Sequence, residues 1–163
     1  MFMFELDLHI KIEKTELAKQ LEKDLNISWN LYQHYDYDAG YDVRACIEEP
    51  IYLEPNMERK IIPIGLHIEL TNPNYEIQVR PRSGLAADHG ISVLNTPGTI
   101  DYGYRDEIKV ILVNLDLFNE FTVNPGDRIA QLCFRKIPTL WIESVDEIDK
   151  EINRKGGFGS SGI

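Results

Sequence analysis

The chain has 163 residues, 43% of them hydrophobic and 27% charged, a size and composition suited to one soluble globular domain rather than a two-domain enzyme. Its formal net charge of −10 opposes polyphosphate backbones, so no nucleic-acid partner is expected. The apolar runs are only a handful of residues long, which excludes a transmembrane helix and a membrane partner.

The opening stretch MFMFELDLHIKIEK carries Glu5 and Asp7 and has neither a basic region nor a small-residue cleavage site. No secretory signal is read there, and a cytoplasmic location is expected. Residues 15–25 place Leu17, Leu21 and Leu25 four apart behind Thr15, the stripe of one short amphipathic helix with an N-cap. From residue 27 onward, short apolar stretches alternate with turn residues: IIPIGLHIEL, YEIQVR, EIKVILVNL, EFTV, RIAQLCF and TLWIESV. Each predicts a strand. With no crossover helices between them the fold class is all-β, and the irregular turn spacing suits a sandwich or jelly roll.

Leu66, Ile68 and Leu70 alternate with His67 and Glu69, which puts His67 on the wetter face of a strand. His9, His34 and His89 are equally isolated and read as surface or satisfied histidines rather than ligands. Cys46 and Cys133 stand apart without CxxC or Cys/His spacing. They read as buried thiols rather than a disulfide or a metal site. One domain over residues 1–145 is expected, followed by a flexible segment, 146–163. Its end, GGFGSS, is the composition of a tail, yet Phe158 between glycines equally suits an arm that folds over a flat ligand.

Six of the eight arginines lie beyond residue 79, giving an acidic chain local cationic spots. Pro81-Arg82-Ser83-Gly84 supplies a guanidinium fork, a hydroxyl and close backbone approach, which suit an oxyanion. Residues 126–131 (GDRIAQ) read as a turn feeding a strand, with Gln131 set either to donate to an anion or to cap a neighbouring loop. Residues 95–104 (NTPGTIDYGY) put an amide, a carboxylate and an aromatic ring within ten positions. That is the chemistry of a small, polar, planar ligand with a general base at hand.

Taken together, residues 39–45 (AGYDVRA), 81–86 (PRSGLA), 98–107 (GTIDYGYRDE) with Asn95 ahead, 126–132 (GDRIAQL) and 156–162 (GGFGSSG) resemble, in order and spacing, the five motifs of the homotrimeric dUTPase family. The resemblance spans roughly residues 38–162.

It implies a distorted jelly-roll or β-barrel fold with one short helix near the N-terminus. It also implies a homotrimer whose sites are each assembled from three chains. Asn95 and the backbone of Gly98, Thr99 and Ile100 would read the uracil edge, and Tyr104 would pack under the deoxyribose. Asp101 would activate the water that attacks the α-phosphorus of dUTP, giving dUMP and pyrophosphate. Lys109 matches a position that approaches the substrate through backbone. Arg82, Ser83, Gly84 and Gln131 would hold the triphosphate. Magnesium is implied as a chelate of the phosphates with no direct protein ligand, and Asp42 would either touch its hydration shell or brace the hairpin. In the arm, Phe158 would stack on uracil, with Ser160 and Ser161 near the phosphates and Arg154 as an arginine finger.

The chain departs from the pattern at three places. Arg154 lies four residues before Phe158 and is followed by Lys155, where the family places its arginine five before, with a glycine after it. Asp106 replaces a common glycine, and the stretch before the first motif is long. Two rivals share the resemblance: a dCTP deaminase or bifunctional relative, which would use a glutamate in a different third motif, and a nucleotide-controlled regulatory protein of dUTPase fold.

Overall fold

A computed structural model describes residues 8–151. In chain order it contains β1 (Ile10–Lys14), α1 (Glu16–Asp24), β2 (Tyr41–Arg44), β3 (Ile51–Leu53), β4 (Arg59–Pro63) and β5 (Leu66–Leu70). There follow β6 (Tyr75–Arg80), α2 (Ser83–His89), β7 (Ile91–Val93), β8 (Gly98–Ile100), β9 (Lys109–Asn114), β10 (Phe121–Val123) and β11 (Arg128–Lys136). The expected all-β class holds.

All strand pairs are antiparallel. A four-stranded sheet runs β2-β11-β6-β8 and a three-stranded sheet β4-β9-β7, with two-stranded pairs β1-β5 and β3-β10. The inward residues follow the period of two. In β5 Leu66, Ile68 and Leu70 are buried while His67 and Glu69 stay half-exposed, and the His67 Nδ1 lies 2.9 Å from the Arg105 carbonyl oxygen. The core gathers Leu53, Ile62, Ile64, Ile77, Leu112 and Leu132 around Trp29, whose Nε1 donates to the Ile64 carbonyl at 2.9 Å. Cys46 and Cys133 are both buried and unbridged. Burial raises the Cys46 thiol above its ordinary pKa.

Helix α1 starts where its N-cap places it: the Thr15 hydroxyl oxygen accepts from the Ala18 N–H at 3.2 Å. Ala18 and Leu21 are its buried contacts, and Glu22 accepts both from Lys14 Nζ and from the Trp29 N–H, at 2.8 Å each.

Three expectations need correction. The chain has a second helix, α2, which buries no side chain; it carries no apolar periodicity, the signal by which α1 was legible. Strands β1, β2, β3, β7 and β8 are not among the stretches read from the pattern, and IIPIGLHIEL is divided between two strands, β4 and β5. The stretch TLWIESV, expected as a strand, forms none: the ladder with β6 ends at Lys136 opposite Tyr75, and Trp141 beyond it is 92% exposed.

Candidate active site

The site is built around strand β6. Its end at Arg80 runs through Pro81 into α2, where Arg82 is the N-cap residue and Ser83 and Gly84 open the first turn. Across the same sheet, Gln131 on β11 stands opposite Asp42 on β2 and opposite Arg80 on β6. Directly opposed residues in antiparallel strands share a face, so these three side chains leave the sheet on one side.

A register shift between Arg128 and Ala130 breaks the β2-β11 ladder, and bulges of this kind re-aim side chains. Arg128 Nη1 donates to Asp42 Oδ2 at 3.2 Å, and Arg82 Nε donates to Asp42 Oδ1 at 3.1 Å. Arg82 Nη1 also donates to the Arg128 carbonyl at 3.1 Å. One carboxylate thereby holds two guanidinium groups side by side, each with donors left over. Arg44 stands behind them, its Nη1 donating to the Gly126 carbonyl at 2.8 Å. Burial, and then repulsion from Arg128, press the Arg44 guanidinium pKa down, while Asp42 raises it. Three guanidinium groups against the carboxylates of Asp42 and Asp127 leave this corner positive in an acidic protein.

Gln131 is aimed by its neighbours. Its Nε2 donates to the Pro81 carbonyl at 2.9 Å, and a Cβ at position 40 would lie 1.9 Å from its Oε1. Gly40 is therefore the residue that leaves Gln131 its space. Asp42, Arg82, Ser83, Gly84, Arg128 and Gln131 line one open cleft of about 290 Å³, and His34 joins them. The donors of this wall (guanidinium, hydroxyl and amide) suit an anion with many oxygens.

The second part is the loop between β7 and β8, strands that pair in different sheets, and the turn that follows β8. Asn95 lies in the loop, which contains a cis Thr96–Pro97 bond, and its Nδ2 would be 3.0 Å from a Cβ at Gly98, so a side chain there would push the Asn95 amide from its present place. Thr99 and Ile100 pair with Gln78 and Ile77 of β6. Asp101 follows at once, exposed, its carbonyl accepting from the Tyr104 N–H at 3.0 Å. The Tyr104 hydroxyl donates to the Glu107 carbonyl at 3.1 Å, and Arg105 Nη1 donates to the carbonyls of Tyr102 and Tyr104. The turn that carries Asp101 and Tyr104 is thus tied down from several sides. Lys109 is exposed at the start of β9, opposite Pro63.

These two parts do not meet within one chain. Strand β8 runs antiparallel to β6, so Asp101 sits beside Ile77 whereas Arg82 lies beyond the opposite end. Five residues of extended chain separate Ile77 from Arg82, roughly 16 Å. None of Asn95, Asp101 or Tyr104 lines the arginine cleft. Arg154, Phe158, Ser160 and Ser161 lie outside the described residues. Sequence reasoning passed over Arg128 as part of a turn and His34 as an isolated surface histidine; the bulge in β11 brings the first to the cleft and the bridge of Tyr32 onto Asp42 the second. Among the described residues, no three His, Cys, Asp or Glu side chains converge as a metal cage requires.

Comparison with known proteins decides the family. The dUTPase family model matches residues 29–162. The chain belongs to the dUTPase family. It is 50% identical over 125 residues to the deoxyuridine 5'-triphosphate nucleotidohydrolase of Treponema denticola, covering 77% of this chain and 85% of that one. It is 41% identical over 158 residues to the enzyme of the same name from Thermoanaerobacter sp. (strain X514), covering 97% of this chain and 100% of the other. In fold it is similar to the dUTPase of Staphylococcus bacteriophage 80alpha, solved with dUPNHPP, at a TM-score of 0.76 and 21% identity, over 95% of this chain and 99% of that one. It is also similar to a mutant dUTPase from phage phi11 of S. aureus, in which a structural Mg(II) ion is coordinated, at a TM-score of 0.68 and 20% identity, over 87% and 99%. The jelly-roll-like arrangement is the fold of this family. Among the described residues no helix is long and apolar enough to cross a membrane.

Proposed function

We propose that this dUTPase-family chain hydrolyses dUTP to dUMP and pyrophosphate, lowering dUTP and supplying dUMP, at sites shared between the chains of a homotrimer. The observation that carries the reading is the cleft in which Asp42 clamps Arg82 and Arg128 beside Ser83, Gly84 and Gln131. Such a wall grips a triphosphate and offsets the charge that builds up as the bond to the leaving pyrophosphate lengthens.

Asp101 is the general base. It takes a proton from a water aligned with the α-phosphorus, and the water oxygen attacks in line while pyrophosphate leaves. The hydrogen-bonded turn fixes the backbone that carries this carboxylate. Tyr104, its hydroxyl engaged by Glu107, offers the deoxyribose a flat ring that leaves no room for a 2′-hydroxyl. Asn95 and the backbone of Gly98, Thr99 and Ile100 pair with the uracil edge, and Lys109 approaches through its backbone. A cytosine there would set donor against donor, and an unsatisfied buried pair of that kind discriminates strongly.

Because Asp101 and Arg82 lie at opposite ends of β6, each cleft takes its base and its uracil-reading loop from a neighbouring copy. Residues 146–163 form the closing arm, with Phe158 over the uracil and Arg154, Ser160 and Ser161 at the phosphates. The donor set suits phosphate oxygens better than a metal, so magnesium would be carried by the triphosphate with no direct protein ligand, where it would neutralise charge and restrict the conformation of the phosphates. Asp42, with both oxygens engaged by guanidinium groups, braces the arginines. The protein works in the cytoplasm.

Chromatographic product analysis with magnesium tests this, offering dUTP, dCTP, dTTP and UTP separately. Formation of dUMP from dUTP alone is expected. Ammonia from dCTP, or no turnover of any nucleotide, would overturn it.

A further inference from the structure

We propose that His34 is a further substrate-binding residue, its imidazolium donating to a triphosphate oxygen beside Arg82 and Arg128 and making dUTP affinity depend on pH. The inference rests on the dUTPase reading and adds a residue outside the five motifs.

The loop that carries His34 is anchored on both sides. Before it, the Asp42 N–H donates to the Tyr32 carbonyl at 2.8 Å, an isolated bridge onto β2. After it, the Asp38 carboxylate accepts from the Tyr35 N–H at 2.9 Å and the Asp38 carbonyl accepts from Gln33 Nε2 at 2.6 Å. Between these ties the imidazole stands edge-on to two rings, 4.4 Å from Tyr35 at 80° and 6.3 Å from Tyr32 at 72°. Aromatic edge contacts orient a ring without using its nitrogens. Among the described residues neither nitrogen of His34 has a hydrogen-bond partner, and the side chain is exposed on the wall of the arginine cleft.

The charges around it leave an anion as its partner. From β2 comes Asp42, whose two carboxylate oxygens already accept from Arg82 and Arg128. From the start of α2 comes Arg82 and from β11 Arg128. In the adjoining pocket, which His34 also lines, stand Arg80 of β6 and Asp38 of its own loop, with the Tyr32 phenol and the Cys133 thiol. Tyr35 and the exposed Asp36 and Tyr37 complete its own loop. The free imidazole shares its wall with two cations, whereas a polyphosphate in the cleft supplies several negative charges at hydrogen-bonding range. Binding therefore favours the imidazolium, which has two donors and a charge where the neutral ring has one donor. Loss of that proton removes the charge and one donor, so affinity falls as the pH rises.

The test is the KM and kcat of the full-length enzyme with dUTP and magnesium between pH 5.5 and 8.5, for wild type, His34→Ala and His34→Arg. Dividing the variant KM by the wild-type KM at each pH cancels the titration of the substrate's own terminal phosphate. For His34→Ala the ratio should be about five to ten at pH 6 and approach one at pH 8.5, with kcat little changed. His34→Arg should keep a low KM across the range. A ratio of one throughout, or a raised ratio that does not vary with pH, overturns the proposal. Calorimetric binding of inorganic tripolyphosphate by the same proteins gives a second readout. The ratio of the wild-type to the His34→Ala association constant should fall toward one as the pH rises, the ratio cancelling the ligand's own titration; a ratio that does not vary with pH overturns the proposal. If dUTP is not hydrolysed but the tripolyphosphate ratio falls in this way, the dUTPase reading fails and the role of His34 in phosphate binding stands.

Discussion

Gln131 and Asp42 face each other across the β2-β11 ladder, one tied to the carbonyl before Arg82 and the other to the Arg82 guanidinium itself. A single register pair thus fixes both the amide and the arginine of the proposed phosphate grip. The consequences are measurable.

Gly40→Ala places a methyl group 1.9 Å from the present position of Gln131 Oε1. The side chain is flexible at that end, so it swings away and the fold survives while its bond to Pro81 is lost. The KM for dUTP should rise about tenfold with the melting temperature nearly unchanged. Unaltered kinetics would mean that Gln131 does not touch substrate.

Asp101→Asn keeps the shape of the turn, because that turn is held by the Asp101 backbone carbonyl and by Arg105. Turnover should fall by orders of magnitude with little change in nucleotide affinity, since the proton acceptor is gone and the phosphate grip remains. Single-turnover kinetics with binding measured in parallel separates the two; retained turnover would remove Asp101 from its role.

Trp29→Phe leaves the ring's bulk in the core but deprives the Ile64 carbonyl of its buried donor. Such an orphaned acceptor costs about 2 kcal/mol. The urea midpoint should move down accordingly, and an unchanged midpoint would show that the hydrogen bond is not needed.

Asp116 accepts from the Phe118 and Asn119 N–H groups at 2.7 and 2.8 Å and from the Asn119 side chain. The backbone bonds, foremost that from Phe118, hold its carboxyl below the ordinary value of 3.8. A folded pKa below the unfolded one stabilises above the unfolded value, and this stability is lost as the pH falls through the folded value. Between pH 5 and pH 3, wild type should therefore lose more stability than Asp116→Asn. Identical acid profiles would show that the loop gains nothing from the charge.

What the sequence made legible follows from burial. The stripe of α1 and the alternation in β5 were readable because each element has one face in the core. Helix α2 was not, because it buries nothing and its apolar residues show no period. TLWIESV was misread because apolarity alone does not supply a strand with a partner. The candidate site residues are named by resemblance alone, and the placing of Asp101 and Arg82 at opposite ends of β6 is a property of strand register, which no local pattern encodes. The bulge that turns Arg128 toward Asp42 is equally non-local.

The most direct test of the account is to mix Asp101→Asn with Arg82→Gln, each inactive alone, by joint refolding under conditions where chains exchange. If each site draws its base from one chain and its phosphate grip from another, half of the bases and half of the grips are intact. Random trimers then recover about a quarter of wild-type dUTP turnover. A mixture that forms hybrid trimers and stays as inactive as its parents would place both residues in the same chain's site and contradict the account.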